Sequence, residues 1–266
     1  MRKSVLLPAA AVAGGVVGLV VRRVYLANGF EAGTGLPIAG APSLWAMAIV
    51  TVVVLGLLVA LSCGKHKNYT QCYTGAFYSE HTVCIAGMLA GAVLLGVGGF
   101  LALANWFSSP SLGLMEKPLR RELSVTWLYL GIFCLLAAAG IYFVTQKMRQ
   151  KEPILTAWAA MPTLAGCLWV VANYYDHWAE EPVLGHYAIP MLATGLSMLG
   201  CMMIGAMGFD KARVSTTLAF SLSGASVCTM ALADGLNWAN TAILLGMVFY
   251  QLSMASALIA NDDRAP

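Results

Sequence analysis

Residues 83–105 read VCIAGMLAGAVLLGVGGFLALAN, a stretch with no charged side chain. About 20 apolar residues in helical conformation cross the hydrocarbon of a bilayer. Inside that hydrocarbon the backbone satisfies its own polar groups most simply as a helix. The stretch therefore predicts a membrane-spanning α-helix. Comparable runs lie near 4–21, 43–62, 125–145, 153–174, 188–207, 214–233 and 241–260, and none has an ionisable side chain near its centre. The expected fold is an all-α polytopic membrane protein of about eight transmembrane helices, forming a single integral membrane domain over residues 1–266.

The composition agrees with this reading. Hydrophobic residues make up 59% of the 266 residues and charged residues 10%, against roughly 25% charged in soluble domains. Too few polar atoms are present to coat a water-facing surface. The net charge of +3 is too small and scattered for nucleic-acid binding. Met1-Arg2-Lys3 followed by an apolar run imitates a secretion signal. The run continues past Ala11 and Ala13 to Val21, so an uncleaved first helix is expected.

Lys and Arg between the spans give the orientation. Ten of the fifteen fall on the N-terminal side, among them Lys65, Lys67, Lys147, Arg149, Lys211 and Arg213. The loops at 175–187 and 234–240 carry none. This places both termini in the cytoplasm of a cell-membrane protein. Two places fit less well. Arg22-Arg23 follow the first span directly, and Met115–Leu123 puts basic residues outside, as a short interfacial helix would. The alternative is a topology in which one early span fails to cross.

Four span ends resemble one another: Leu26-Ala27-Asn28, Leu103-Ala104-Asn105, Val171-Ala172-Asn173 and Leu232-Ala233-Asp234. They point either to four helical hairpins in parallel repeat or to recurrent polar helix ends at an aromatic interface. Small residues four apart suit close helix packing: Gly14 and Gly18, Gly87 and Gly91, Ala92 and Gly96, and Ser197, Cys201 and Gly205. The 214–233 span is rich in hydroxyls, which line a polar path or bond their own helix. Pro162 falls mid-span. Gln251 is the strongly polar mid-span residue.

Two clusters carry chemistry. Asp176, His177, Trp178, Glu180 and Glu181 crowd one outer loop, with Asp234 and Trp238 at the same membrane level. Carboxylates with imidazole and aromatic faces suit a divalent or an organic cation. Acidic outer loops also follow from the orientation rule alone. The second cluster is Cys63, His66, Cys72, His81 and Cys84, in ligand types that bind zinc but in a spacing that matches no standard finger. There is no Walker phosphate loop, no G-x-S-x-G and no H-E-x-x-H, and no cofactor is implied. The expected partners are the lipid bilayer and another membrane protein. Three functions fit: a small permease- or transporter-like bundle; a non-catalytic sensor, scaffold or accessory subunit acting through helix contacts; or an intramembrane enzyme using Asp176, His177, Glu180 or Glu181.

Overall fold

A computed structural model describes residues 3–31, 33–64, 66, 73–79, 81–108, 118–150, 152, 156–175, 183–209 and 213–262. The described chain is helical: α1 (Lys3–Asn28), α2 (Pro42–Ser62), α3 (Tyr73–Phe77), α4 (Thr82–Ser108), α5 (Pro118–Gln150), α6 (Thr156–Asn173), α7 (Leu184–Ala206), α8 (Val214–Ala231) and α9 (Trp238–Asp262). The protein is thus an all-α polytopic membrane protein. Seven helices, all but α3 and α6, are long and apolar enough to cross a bilayer. The expected span at 153–174 is realised as α6, whose apolar part is the shorter Ala157–Asn173. At 1.5 Å per residue that is about 25 Å, slightly less than the roughly 30 Å hydrocarbon layer.

Of the basic stretch Met115–Leu123, residues 115–117 lie outside the described residues and the rest is not a separate short helix. From Pro118 onward it forms the first turns of α5 without a break. Proline suits the first turn of a helix, where its missing N–H leaves no bond unmade.

Helices α4 to α9 form a closed circuit in which each packs on the next and α9 returns to α4. Helix α1 lies on α8 and α9, and α2 lies outside it against α1 and α8. Branched aliphatic side chains of α2, including Ile49, Val52 and Val53, point outward and contact lipid. Helix α9 is buried on most sides, from Ala239 through Asn261.

Lipid gives helices no hydrophobic reason to associate, so close backbone approach carries the packing. At the α4–α9 crossing a Cβ on Gly91 would lie 3.0 Å from the Gly246 carbonyl oxygen and 3.0 Å from the Tyr250 nitrogen. Gly99 and Gly131 join α4 to α5 in the same way. Gly14 and Gly18 serve two partners: Gly14 faces Val54 of α2, and Gly18 faces Met230 of α8.

The last turn of α9 organises one end of the bundle. The Asn261 amide donates to the carbonyls of Ala76 (2.9 Å) and Tyr78 (2.8 Å). The His66 Nδ1 lies 2.7 Å from the Asp262 carboxylate, and its Nε2 lies 3.1 Å from the Ser62 carbonyl oxygen. His66 and the stretch around α3 are thereby tied to the end of α9.

Candidate functional site

The opposite end is built around Arg22. This residue, one of the two that fitted the charge count poorly, lies within α1 and is 1% exposed. Its Nε donates to Asp234 Oδ1 at 3.0 Å and its Nη2 to the same oxygen at 2.5 Å. Nη1 donates to the Gly185 carbonyl (2.8 Å) and Nη2 to the His186 carbonyl (2.9 Å). The guanidinium carbon also lies 5.4 Å from the Tyr25 ring centre. One side chain of α1 thus holds the start of α7 and the end of α8. Arg23, its neighbour, points outward.

The sequence prepares each partner. Pro190 lies within α7 and has no N–H, so the carbonyl four residues earlier, that of His186, loses its helical donor. Arg22 supplies the replacement. Gly185 carries no Cβ because one there would strike the Tyr25 hydroxyl and come within 3.2 Å of the Phe30 ring. Gly235, at φ 63°, ends the tight turn Leu232–Asp234 in the left-handed region, which glycine enters without steric penalty. That turn sends the Asp234 side chain inward, 5% exposed.

A second network stands at the same end. The Trp169 indole donates to Asn240 Oδ1 at 2.7 Å, and Asn240 Nδ2 donates to Asn173 Oδ1 at 2.7 Å. Asn173 returns a longer bond of 3.3 Å. Asn237 caps α9 by accepting the Asn240 backbone N–H at 2.8 Å.

Residues 176–182, the acidic and aromatic loop, lie outside the described residues, and Asp176, His177, Trp178, Glu180 and Glu181 with them. Both stems of that loop are held. Asn173 is fixed to α9, and Gly185 and His186 are fixed to Arg22. Of the other two residues expected there, Asp234 points into the bundle, whereas Trp238 is 82% exposed.

Four members of the cysteine–histidine cluster are among the described residues. Cys63 is exposed at the end of α2, and His66 engages Asp262. Cys84 is buried with its thiol 3.2 Å from the Ser253 carbonyl. His81 precedes α4, and Cys72 lies outside the described residues. Among the described residues no three His, Cys, Asp or Glu side chains are grouped so as to hold a metal.

A third polar region lies in the middle of the bundle. Gln251 of α9 is fully buried, and its Nε2 donates to the Ser197 carbonyl (2.7 Å) and hydroxyl (2.9 Å) of α7. A carbonyl only accepts, so the amide nitrogen must face Ser197 and the oxygen must face α8. That oxygen lies 2.6 Å from where a Cβ of Gly224 would stand, and it has no hydrogen-bond partner. The hydroxyls of Ser221, Ser223 and Ser226 on α8 and Oδ2 of Asp234 also lack one. Five of the six such buried atoms among the described residues therefore belong to α8 and the turn that ends it, or press against that helix. By contrast, Thr217 and Thr229 bond carbonyls of their own segment.

No known protein family, curated protein or solved structure matches this chain.

Proposed function

We propose that the protein is a small permease whose solute path follows α8, between α1, α7 and α9. The observation that supports this reading is the gathering of unpartnered buried polar atoms along that helix. Each costs about 1–3 kcal/mol when left without a partner, and most proteins retain few. Their concentration on one helix is accounted for when a second conformation, or a solute, satisfies them. The Arg22–Asp234 pair then acts as the closure at one end, since it locks α1, α7 and α8 together. Intramembrane ionisable groups commonly mark such pathways.

The test is flux through purified protein in proteoliposomes, measured for a broad panel of charged and neutral solutes. At least one solute is expected to cross faster than through protein-free vesicles. Rates equal to protein-free vesicles across the panel would remove the permease reading and favour the helix-contact role instead.

The closure is proposed to face outward. The Lys and Arg distribution supports cytoplasmic termini in a cell membrane. A reporter fused after Glu181 is expected to read as extracytoplasmic, and one fused after Asp262 as cytoplasmic. The reverse pair of readouts would invert the orientation.

A further inference from the structure

We infer that the Gln251 region is the solute-binding site of this path and that it takes a small uncharged solute bearing N–H or O–H donors. The inference rests on the permease reading and adds the solute class. Gln251 lies eleven residues from both Asn240 and Asp262, about 16 Å along the helix from either. The site therefore sits at mid-membrane depth, far from Arg22–Asp234 at one end and from His66–Asp262 at the other.

The chemistry of the site is neutral throughout. Around the amide stand Ser197 and Cys201 of α7 and Ser221 of α8. An ion entering there would shed its hydration without meeting an opposite charge, which a low-dielectric interior penalises heavily. A neutral donor meets an acceptor already stripped of water and fixed in direction, because Ser197 dictates which end of the amide faces α8. The Ser221 hydroxyl, unpartnered as well, can donate or accept.

Size follows from the two glycines at the crossing. A Cβ on Gly200 would lie 3.2 Å from Ser221 Cα and from the Phe220 carbonyl oxygen. One on Gly224 would lie 3.1 Å from Ser197 Cα and from the Leu196 carbonyl oxygen. The backbones of α7 and α8 meet there, so a solute enters only as the two helices part, and a small one requires the least parting. Urea and glycerol have the right size and donors. Guanidinium has the shape of urea with a positive charge.

The experiment is stopped-flow swelling of proteoliposomes holding the full chain, with urea, glycerol and guanidinium as probes. Urea or glycerol is expected to enter roughly tenfold faster than into protein-free vesicles, and guanidinium at the protein-free rate. Gln251→Leu should reduce the neutral rate roughly tenfold, the scale of one hydrogen bond to a buried acceptor. Ser221→Ala, a smaller change to packing, should reduce it severalfold and keeps the test valid if the first variant misfolds. Wild-type neutral rates in both variants would overturn the inference, as would guanidinium crossing as fast as urea. Flux of charged solutes without urea or glycerol would overturn the solute class and leave the permease reading intact. No flux of any solute would overturn both.

Discussion

Asp234→Ala should destabilise the bundle by about 3–5 kcal/mol, the scale of breaking a buried ion pair from one side. The reason is what it leaves behind. Arg22 would keep its charge, 1% exposed, with no carboxylate but only the carbonyls of Gly185 and His186 and the Tyr25 ring against it. Arg22→Ala should cost a similar amount, because the buried carboxylate would then lose the guanidinium that donates to it. The double variant Arg22→Leu/Asp234→Leu should recover most of the loss, since apolar replacement of a whole buried pair is often neutral or stabilising. Thermal unfolding in detergent or lipid, followed by helical circular dichroism, distinguishes these outcomes. Equal losses in the single and double variants would mean that an uncompensated buried charge is not what destabilises the single variants. The double variant also separates stability from function. If the pair closes the path, the stable double variant should leak solute in both directions.

Gly246→Val is the second large effect. A Cβ at Gly246 would stand 2.9 Å from the Leu95 nitrogen, 2.9 Å from Leu95 Cγ and 3.1 Å from the Gly91 carbonyl oxygen. A side chain can swing aside, but backbone atoms of α4 can yield only if the two helices separate. Overpacking of this kind costs about 1–3 kcal/mol, and here it falls on the most enclosed helix of the bundle. Gly56→Val and Gly195→Val are the controls, because nothing lies within 4 Å of a Cβ at either position. Melting of purified variants should show a clear drop for Gly246→Val and little change for the two controls. A matching drop in the controls would point to a general effect of losing glycine, not to the crossing.

The spans were legible because lipid imposes a requirement on every residue of a crossing helix, so the signal accumulates over twenty positions. Even so, charge counting treated Arg22 as a misfit. Its partner is 212 residues away, and no local pattern announces a pairing at that distance. The nearest signal was Pro190, which frees one carbonyl four residues before itself, but a proline does not say which donor will arrive. The four similar span ends were read either as a parallel repeat or as recurrent polar helix ends, and their surroundings differ. Asn28 and Asn105 are exposed, whereas Asn173 joins an amide pair and Asp234 an ion pair. Three-residue likeness cannot carry rotation about the helix axis, which decides what each end meets. Hydroxyls on the 214–233 span were visible as a composition. Which of them are satisfied depends on χ1 and on neighbours, so the unpartnered hydroxyls of α8 emerged only in three dimensions.

The separation between Arg22 and Asp234 also constrains how the protein is made. Translation at roughly 5–20 residues per second puts about 10 to 40 s between the two residues leaving the ribosome. For that interval α1 must reside in or beside the membrane with an arginine whose carboxylate has not yet been synthesised. A long side chain can reach back to the headgroup layer while it waits. The contacts that bury this arginine can form only once α7 and the turn after α8 have been made.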